Sequence, residues 1–275
     1  MTDSKTWFIT GTSRGFGREW TLAALERGDR VAATARDVTS LADLTEKYGD
    51  QLLPIALDVT DRDACFAAVE TAYQAVGRLD VVVNNAGYGH FGFIEELSEK
   101  DVRDQMETNF FGLLWVTQAA LPHLRAQGNG HLIQVTSIGG VTAFPLTGAY
   151  HASKWAVEGL TQSLAAELRD FGVKVTLVEP AGFSTDWAGS SSRRSEPLAA
   201  YDGLRIRTQE WRASRNTRAG DPRASADAVM RLVDAAEPPL RCMFGETALA
   251  IVRPDYESRL ETWDEWDEVA QLAQG

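Results

Sequence analysis

Tyr150 and Lys154 lie four residues apart in a segment whose pattern predicts a helix, so both side chains fall on one face, a turn apart. A phenol, with an ordinary pKa of about 10, is a poor acid or base at neutral pH, and a nearby ammonium lowers that pKa by stabilising the phenolate. A carbonyl that accepts a hydride needs a proton donor tuned in this way. Ser137, at the end of a predicted strand, could donate a hydrogen bond to the same substrate oxygen. The three residues predict acid–base chemistry on a carbonyl or alcohol, although surface Tyr–Lys pairs are also common.

A glycine cluster follows the first predicted strand. Gly11, Gly15 and Gly17 span the turn into the first predicted helix. Glycines there let backbone N–H groups approach a pyrophosphate, and the helix N-terminus adds a favourable dipole. Three glycines alone are weak evidence, but their place in a strand–helix–strand unit favours a phosphate-binding turn. The spacing is G-x-x-x-G-x-G rather than G-x-G-x-x-G.

The elements that must position these residues alternate regularly along the chain. Strands are predicted at 7–10, 30–35, 52–57, 79–84, 131–136 and 173–178, with helices to about 27, from 41, and at 61–76, 100–127 and 149–171. This alternation predicts an α/β fold, a doubly wound parallel sheet of the Rossmann type. We expect a single domain over 1–275, with a C-terminal helical extension over 246–275.

Several motifs occur in a fixed order over the first 185 residues. They are the glycine loop, Asn84-Asn85-Ala86-Gly87 after the fourth strand, Asn109 in the next helix, Ser137, Tyr150-His151-Ala152-Ser153-Lys154, and Pro180-Ala181-Gly182 with Thr185. Together they resemble the short-chain dehydrogenase/reductase family. The resemblance implies an oxidoreductase that binds a nicotinamide dinucleotide across the carboxyl ends of the strands.

The same resemblance implies four catalytic roles. Tyr150 donates or accepts the proton, Ser137 orients the carbonyl, and Lys154 binds the nicotinamide ribose and tunes Tyr150. Asn109 holds a helix irregularity and a water that links Lys154 to solvent. By physical reasoning alone, an asparagine within a helix can equally face solvent.

The resemblance also implies a set of cofactor-binding residues. Asp58 would bind the adenine amine, although it could also be a helix-entry residue, and Thr185 would bind the nicotinamide carboxamide. The full set is Gly11, Ser13, Arg14, Gly15, Phe16, Gly17, Arg36, Asp58, Val59, Asn85, Ala86, Gly87, Tyr150, Lys154, Pro180, Gly182 and Thr185.

Two arginines indicate which dinucleotide is preferred. NAD-binding sheets usually place an acid at the tip of the second strand, where it binds the ribose and repels a 2′-phosphate. Here Ala35 occupies that tip and Arg36 follows, while Arg14 lies in the glycine loop. We therefore expect NADP(H), with Asp37 as ribose ligand being the alternative.

Composition excludes several other classes. The net charge of -12 argues against nucleic acid or an anionic membrane as partner. No apolar run approaches the roughly 18 residues of a membrane span, and no signal-type segment begins the chain, so we expect a cytoplasmic protein. The four histidines and two isolated cysteines have no metal-ligand spacing, so no metal site is expected.

The substrate-binding segments are less informative. Residues 88–97, 138–148 and 187–216 carry aromatic side chains that favour a bulky, apolar carbonyl or alcohol substrate, although each could instead be local core. These are Tyr88, His90, Phe91, Phe93, Phe144, Trp187, Tyr201 and Trp211. The Ser-, Arg- and Gly-rich stretch 187–216 favours a mobile lid.

The acidic stretch 255–268 predicts an amphipathic helix. It has seven acidic residues against one basic residue, and we expect its apolar face of Leu260, Trp263 and Trp266 to pack on the body. Homo-oligomers are common in the family, so a homo-oligomer is possible here, and the extension could change or block it.

Three other functions are less well supported by the residues. A serine hydrolase would need a nucleophile elbow, but the residues around Ser137 do not have the G-x-S-x-G pattern and no histidine is recognisably placed as its base. An epimerase or dehydratase would bring a further acid or base. A non-catalytic NADP-binding sensor is the main alternative, but it should have lost Tyr150, Lys154 or Ser137. The sequence therefore predicts an NADP(H)-dependent oxidoreductase, of the carbonyl reductase or alcohol dehydrogenase type.

Overall fold

A computed structural model describes residues 4–185, 187, 189, 191–214 and 219–274, without the side chains of 212–214. Seven strands form one parallel sheet in the order β3-β2-β1-β4-β6-β7-β9. They are β1 Thr6–Thr10, β2 Arg30–Ala35, β3 Leu52–Ala56, β4 Val81–Asn84, β6 Gly130–Val135, β7 Val173–Pro180 and β9 Arg241–Phe244. A second, two-stranded parallel sheet pairs β5 His90–Phe91 with β8 Arg193–Arg194.

Helices cover both faces of the main sheet. Trp20 and Val229, from helices α1 and α8, pack with Ile9 on one face, whereas Val69 and Val116, from α3 and α5, pack on the other. The helices are α1 Gly15–Arg27, α2 Ala42–Tyr48, α3 Arg62–Val76, α4 Glu99–Met106, α5 Gly112–Gln127, α6 Gly148–Glu167, α7 Asp202–Ser214, α8 Ala224–Asp234, α9 Ala248–Glu265 and α10 Asp267–Gln274.

Local sequence explains most of these bounds. Val81, Val82 and Val83 are fully buried, as the apolar run predicted for a central strand. Helix α3 begins where the Asp61 side chain accepts the Ala64 N–H, and it ends at Gly77, whose φ of 75° favours glycine. The predicted doubly wound parallel sheet is confirmed.

Five features differ from the sequence prediction. Strand β9 and helix α8 were not predicted, nor was the small β5–β8 sheet. The predicted helix 100–127 is divided by a π-helical turn, Glu107–Phe111, between α4 and α5. The predicted helix 149–171 ends at Glu167 and continues as a short 3-10 turn. Among the described residues, no helix is both long and apolar enough to cross a membrane.

The C-terminal extension is helical, but its predicted packing is wrong. Only Ala248 and Val252 of α9 are buried; they lie in a small cluster with Ile138 and Val141. Trp263 and Trp266 are 65% and 63% exposed. Helical periodicity indicates that these side chains share a face, but it carries no information on whether a surface lies opposite that face.

Candidate active site

Helix α6 brings Tyr150 and Lys154 to the carboxyl edge of the sheet. Both side chains are buried, and the Lys154 Nζ lies 5.9 Å from the centre of the Tyr150 ring. The same ammonium donates a 2.8 Å hydrogen bond to the Val135 carbonyl at the end of β6. The helical spacing predicted from the sequence thus places the phenol and the ammonium side by side at one strand end.

Burial dominates the electrostatics of this pair. Loss of solvent raises the pKa of Tyr150 to about 12, and a hydrogen bond with Ser137 opposes that rise. Loss of solvent also lowers the pKa of Lys154 to about 8, while the nearby Glu158 carboxylate acts to raise it. The expected lowering of the Tyr150 pKa by Lys154 is not borne out, because loss of solvation is the main cause that shifts the pKa of both groups. At neutral pH the phenol carries its proton.

Ser137 follows β6 in an extended conformation. Its Oγ accepts a 3.0 Å hydrogen bond from the Gly139 N–H and donates a 3.3 Å bond to the Pro180 carbonyl. These contacts fix the hydroxyl between two strand ends, within hydrogen-bonding reach of Tyr150. The two hydroxyls therefore point at one region of space.

Asn109 lies in the π-helical turn, where a helix irregularity was expected. Its Nδ2 donates to the Tyr88 carbonyl (3.0 Å) and to the Ser153 hydroxyl (3.1 Å), and its Oδ1 accepts the Tyr88 N–H (3.0 Å). A Cβ at Gly87 would lie 3.1 Å from that Oδ1 and 3.7 Å from the Lys154 Nζ. Asn109 thus holds the backbone beside Lys154.

The glycine loop is shaped by close backbone approach. Gly11 has a φ of 70°, and a Cβ there would lie 2.9 Å from the Ala86 Cα. A Cβ at Gly17 would overlap the Gly11 carbonyl and the Asn85 amide. The Asn85 Nδ2 donates to the Thr10 and Gly11 carbonyls at 2.9 and 3.0 Å. The Asn85 side chain therefore joins the turn after β4 to the glycine loop.

A cavity of about 800 Å³ runs along the carboxyl ends of the strands, from the glycine loop to Tyr150. Every residue predicted for catalysis or cofactor binding lines it except Gly17 and Asn109, which lie just behind the lining. Helix α1 begins at this cavity and has no side-chain cap, so its first N–H groups face the space. The cavity and the donor groups fit a nicotinamide dinucleotide.

The basic and acidic residues of the glycine loop and of the turn after β2 differ in whether they line the cavity. Arg14 and Arg36 line the cavity, whereas Asp37 does not. The Asp37 Oδ1 accepts the N–H and hydroxyl of Thr39 at 2.9 and 2.7 Å, and the Thr39 hydroxyl is the main cause that lowers the Asp37 pKa. Asp37 is thus engaged in a local turn.

Asp58 also lies at the cavity wall. Its Oδ1 accepts the N–H and hydroxyl of Thr60 at 3.0 and 2.8 Å. Asp61, not Asp58, caps helix α3, and Asp58 lies in the turn that precedes this helix.

The opposite wall is aromatic. The Trp187 ring packs edge-on against Tyr150, with ring centres 4.9 Å apart, and Tyr88 and Phe144 also line the cavity. Phe91 and Phe93 instead form a local core with Leu146, as the sequence left open. His90, Tyr201 and Trp211 are not part of the cavity lining.

Part of the predicted lid, 187–216, lies outside the described residues. The described part contains β8 and α7, and its Arg193 guanidinium pairs with Asp104 of α4 at 2.5 Å. Sequence reasoning missed Arg193, Gly139 and His151 as cavity residues. The only available signal for the last of these was its position next to Tyr150.

Comparisons with known proteins agree with this geometry. The model of the short chain dehydrogenase family matches residues 5–196. Oxidoreductase BOA17 of Botryotinia fuckeliana is 40% identical over 271 residues, which cover 97% of this chain and 98% of that protein. A short-chain dehydrogenase structure from Streptomyces avermitilis, 35% identical, superposes with a TM-score of 0.92 over 99% of both chains.

Two further structures carry bound nucleotides. An alcohol dehydrogenase from Thermococcus sibiricus, complexed with 5-hydroxy-NADP, is 27% identical (TM-score 0.72, covering 88% of this chain and 96% of that chain). A short-chain dehydrogenase/reductase from Burkholderia phymatum, in complex with NAD, is also 27% identical (TM-score 0.81, covering 94% and 95%). The chain belongs to the short-chain dehydrogenase/reductase family of oxidoreductases.

Proposed function

We propose that this protein is an NADP(H)-dependent oxidoreductase that moves a hydride between the nicotinamide and a ketone, aldehyde or secondary alcohol. The observation that carries the proposal is the convergence of Tyr150, Ser137 and Lys154 at one end of a cavity whose other end holds the glycine loop. A sensor that only bound the nucleotide would not need the buried phenol and ammonium.

The cofactor would lie along the strand ends. The N–H groups at the start of α1 would bind its pyrophosphate, Arg14 and Arg36 its 2′-phosphate, and Lys154 its nicotinamide ribose. Asp58 would contact the adenine and Thr185 the carboxamide. When bound, the cofactor supplies or accepts the hydride.

The chain's own residues would then manage the proton. In the reduction direction the Tyr150 hydroxyl, which is protonated at neutral pH, donates its proton to the carbonyl oxygen as the new C–H bond forms. Ser137 hydrogen-bonds the same oxygen, and the Lys154 ammonium stabilises the negative charge that develops nearby. Asn109 keeps the backbone beside Lys154 in place.

The substrate would be bulky and apolar. Tyr88, Phe144 and Trp187 form the wall that faces Tyr150, and the Trp187 ring shields the phenol from water. An aromatic wall of this kind favours ring-bearing or long-chain carbonyls over small polar sugars.

The test is NADPH oxidation with a panel of ketones, aldehydes and quinones, followed by Tyr150→Phe. We expect kcat to fall by roughly 10²- to 10⁴-fold while the Kd for NADPH stays within about twofold. Tyr73→Phe is the matched control, since Tyr73 stacks on His123 away from the cavity, and it should keep full activity. A Tyr150→Phe enzyme with more than about a tenth of the wild-type kcat contradicts the assignment.

A further inference from the structure

The residue after Tyr150 is a buried histidine that joins two loops of the cavity wall. His151 is 6% exposed, and both of its ring nitrogens contact backbone atoms. The Nδ1 lies 2.8 Å from the Gly139 carbonyl oxygen. The Nε2 accepts the Phe144 N–H at 3.0 Å and lies 2.9 Å from the Thr147 Oγ1.

These partners determine where the ring proton resides. A carbonyl oxygen can only accept, so the Nδ1 must carry a hydrogen. A backbone N–H can only donate, so the Nε2 must present a lone pair. His151 is therefore held as the neutral Nδ1–H tautomer by two backbone groups whose hydrogen-bonding roles cannot change.

The Nδ1 end supports the catalytic serine. The Gly139 carbonyl accepts from His151, and the N–H of the same Gly139 donates to the Ser137 Oγ at 3.0 Å. A Cβ at Gly139 would lie only 2.7 Å from the His151 Nδ1 and 3.3 Å from the Tyr150 Cε1. The absence of a side chain at Gly139 is thus what allows the imidazole to approach.

The Nε2 end supports the aromatic wall. The loop from Phe144 to Thr147 contains Leu146, a buried non-glycine residue with a φ of 78°. Backbone strain of this kind persists only where surrounding contacts enforce it. The His151 bond to the Phe144 N–H is one such contact, and a second is the bond from the Gly92 N–H to the Leu146 carbonyl.

We propose that His151 is a positioning residue with two separable effects: its Nδ1–H end sets the orientation of Ser137, and its Nε2 end sets the position of Phe144. The inference rests on the proposed function. The first effect concerns the chemical step and therefore kcat, and the second concerns substrate binding and therefore KM.

Three substitutions separate the two ends. His151→Asn keeps a donor near the Nδ1 position, His151→Gln keeps an acceptor near the Nε2 position, and His151→Phe keeps only the ring. With a bulky ketone and NADPH, we expect His151→Asn to raise KM by roughly 5- to 10-fold at nearly constant kcat, and His151→Gln to lower kcat by a similar factor at nearly constant KM. His151→Phe should show both changes.

Nitrogen NMR of histidine-labelled wild-type protein gives a readout that does not depend on turnover. The expected spectrum has a protonated Nδ1 and an unprotonated Nε2 for His151, assigned by comparison with His151→Phe or, if that variant does not fold, with His151→Asn. The opposite tautomer, or a rapid average of the two, overturns the proposal even if no substrate is found.

The kinetic outcomes are equally distinct. If wild type turns over but His151→Asn and His151→Gln change kcat and KM in the same proportion, or change neither, then the two-ended role is wrong while the oxidoreductase assignment stands. If wild type turns over nothing in the panel, the proposed function fails, and the NMR result still decides the tautomer on which the inference depends.

Discussion

The two walls of the cavity are built by different kinds of contact. The cofactor wall, residues 10–17 and 84–87, is held mainly by backbone atoms and by the Asn85 amide. The lid wall, the described residues within 88–97 and 187–211, pairs the short strands β5 and β8 and adds side-chain contacts, such as the Tyr201 hydroxyl on Glu95 at 2.7 Å and the ion pair of Arg205 with Glu96. The first wall leaves no room for a side chain at Gly11 or Gly17, whereas the side-chain contacts of the second can change one residue at a time.

This difference assigns different tasks to the walls. Close backbone approach suits a ligand part that never varies, such as a pyrophosphate. Ion pairs at the surface contribute little stability because solvent screens them, so we expect a contact of this kind to break readily. The Arg193–Asp104 pair is of this kind, since the Arg193 side chain is 51% exposed.

The largest effect should follow from enlarging the cofactor wall. In Gly17→Ala the new methyl group would overlap the Gly11 carbonyl and the Asn85 amide, and overpacking of this kind costs about 1–3 kcal/mol of unfolding free energy. We expect NADPH binding to weaken at least tenfold as well, measured by titration calorimetry. Gly159→Ala is the control, because a Cβ at that helical position meets nothing within 4 Å, and it should leave NADPH binding unchanged. Equal behaviour of the two variants would show that the glycine loop is not tightly packed.

Loss of the proposed contact between Arg36 and the 2′-phosphate of NADPH should give the next largest effect. Charge-assisted hydrogen bonds contribute about 1.5–3 kcal/mol each, so Arg36→Ala should raise the KM for NADPH by roughly 10- to 150-fold and leave NADH almost unchanged. Arg30→Ala removes an exposed arginine from the opposite end of the same strand and should change neither value. Wild-type use of both dinucleotides, or equal loss for both in the mutant, contradicts the NADP(H) assignment.

Ionisation of the buried Glu179 should make the free energy of unfolding depend on pH, with an effect of intermediate size. Burial and the nearby Glu158 raise the pKa of Glu179 to about 7, partly opposed by Arg241. From about pH 4.5, the ordinary value for an unfolded glutamate, to about pH 7, the folded protein binds more protons, so stability falls as pH rises through this window.

Glu179→Gln removes that ionisation. We expect the variant to exceed wild type by on the order of 1–3 kcal/mol in unfolding free energy at pH 8 and to match it near pH 4.5. The exposed Glu257→Gln is the control and should follow wild type at both values. Denaturant titrations at the two pH values provide the measurement, and a constant difference between wild type and Glu179→Gln would contradict the raised pKa.

The smallest effect concerns opening of the lid wall. Lids that close over substrates exclude water from the reaction, and we expect NADPH to slow limited proteolysis within 187–216 several-fold. Cleavage sites identified by mass spectrometry, with and without NADPH, would test this. Equal cleavage in both states would mean that the segment does not respond to the cofactor.

Helical and strand periodicity determined much of the architecture. The alternation of apolar runs and amphipathic segments was enough to predict six of the seven strands of the main sheet, and β2 has the predicted bounds. Strand β9 was not predicted because Arg241–Phe244 is only four residues long and contains no β-branched residue. Its place beside β7 depends on a pairing between residues more than 60 positions apart.

The sequence alone also predicted many of the residues that line the cavity near Tyr150 and the glycine loop, since a helical spacing of four and a G-x-x-x-G-x-G turn are local patterns. Only the tertiary structure decided the electrostatic balance, because the pKa of Tyr150 depends on burial by distant segments such as that of Trp187. It also decided that Trp263 and Trp266 are exposed and that His151 contacts two loops. Local patterns record which side chains share a face; what lies opposite that face depends on chain segments distant in sequence.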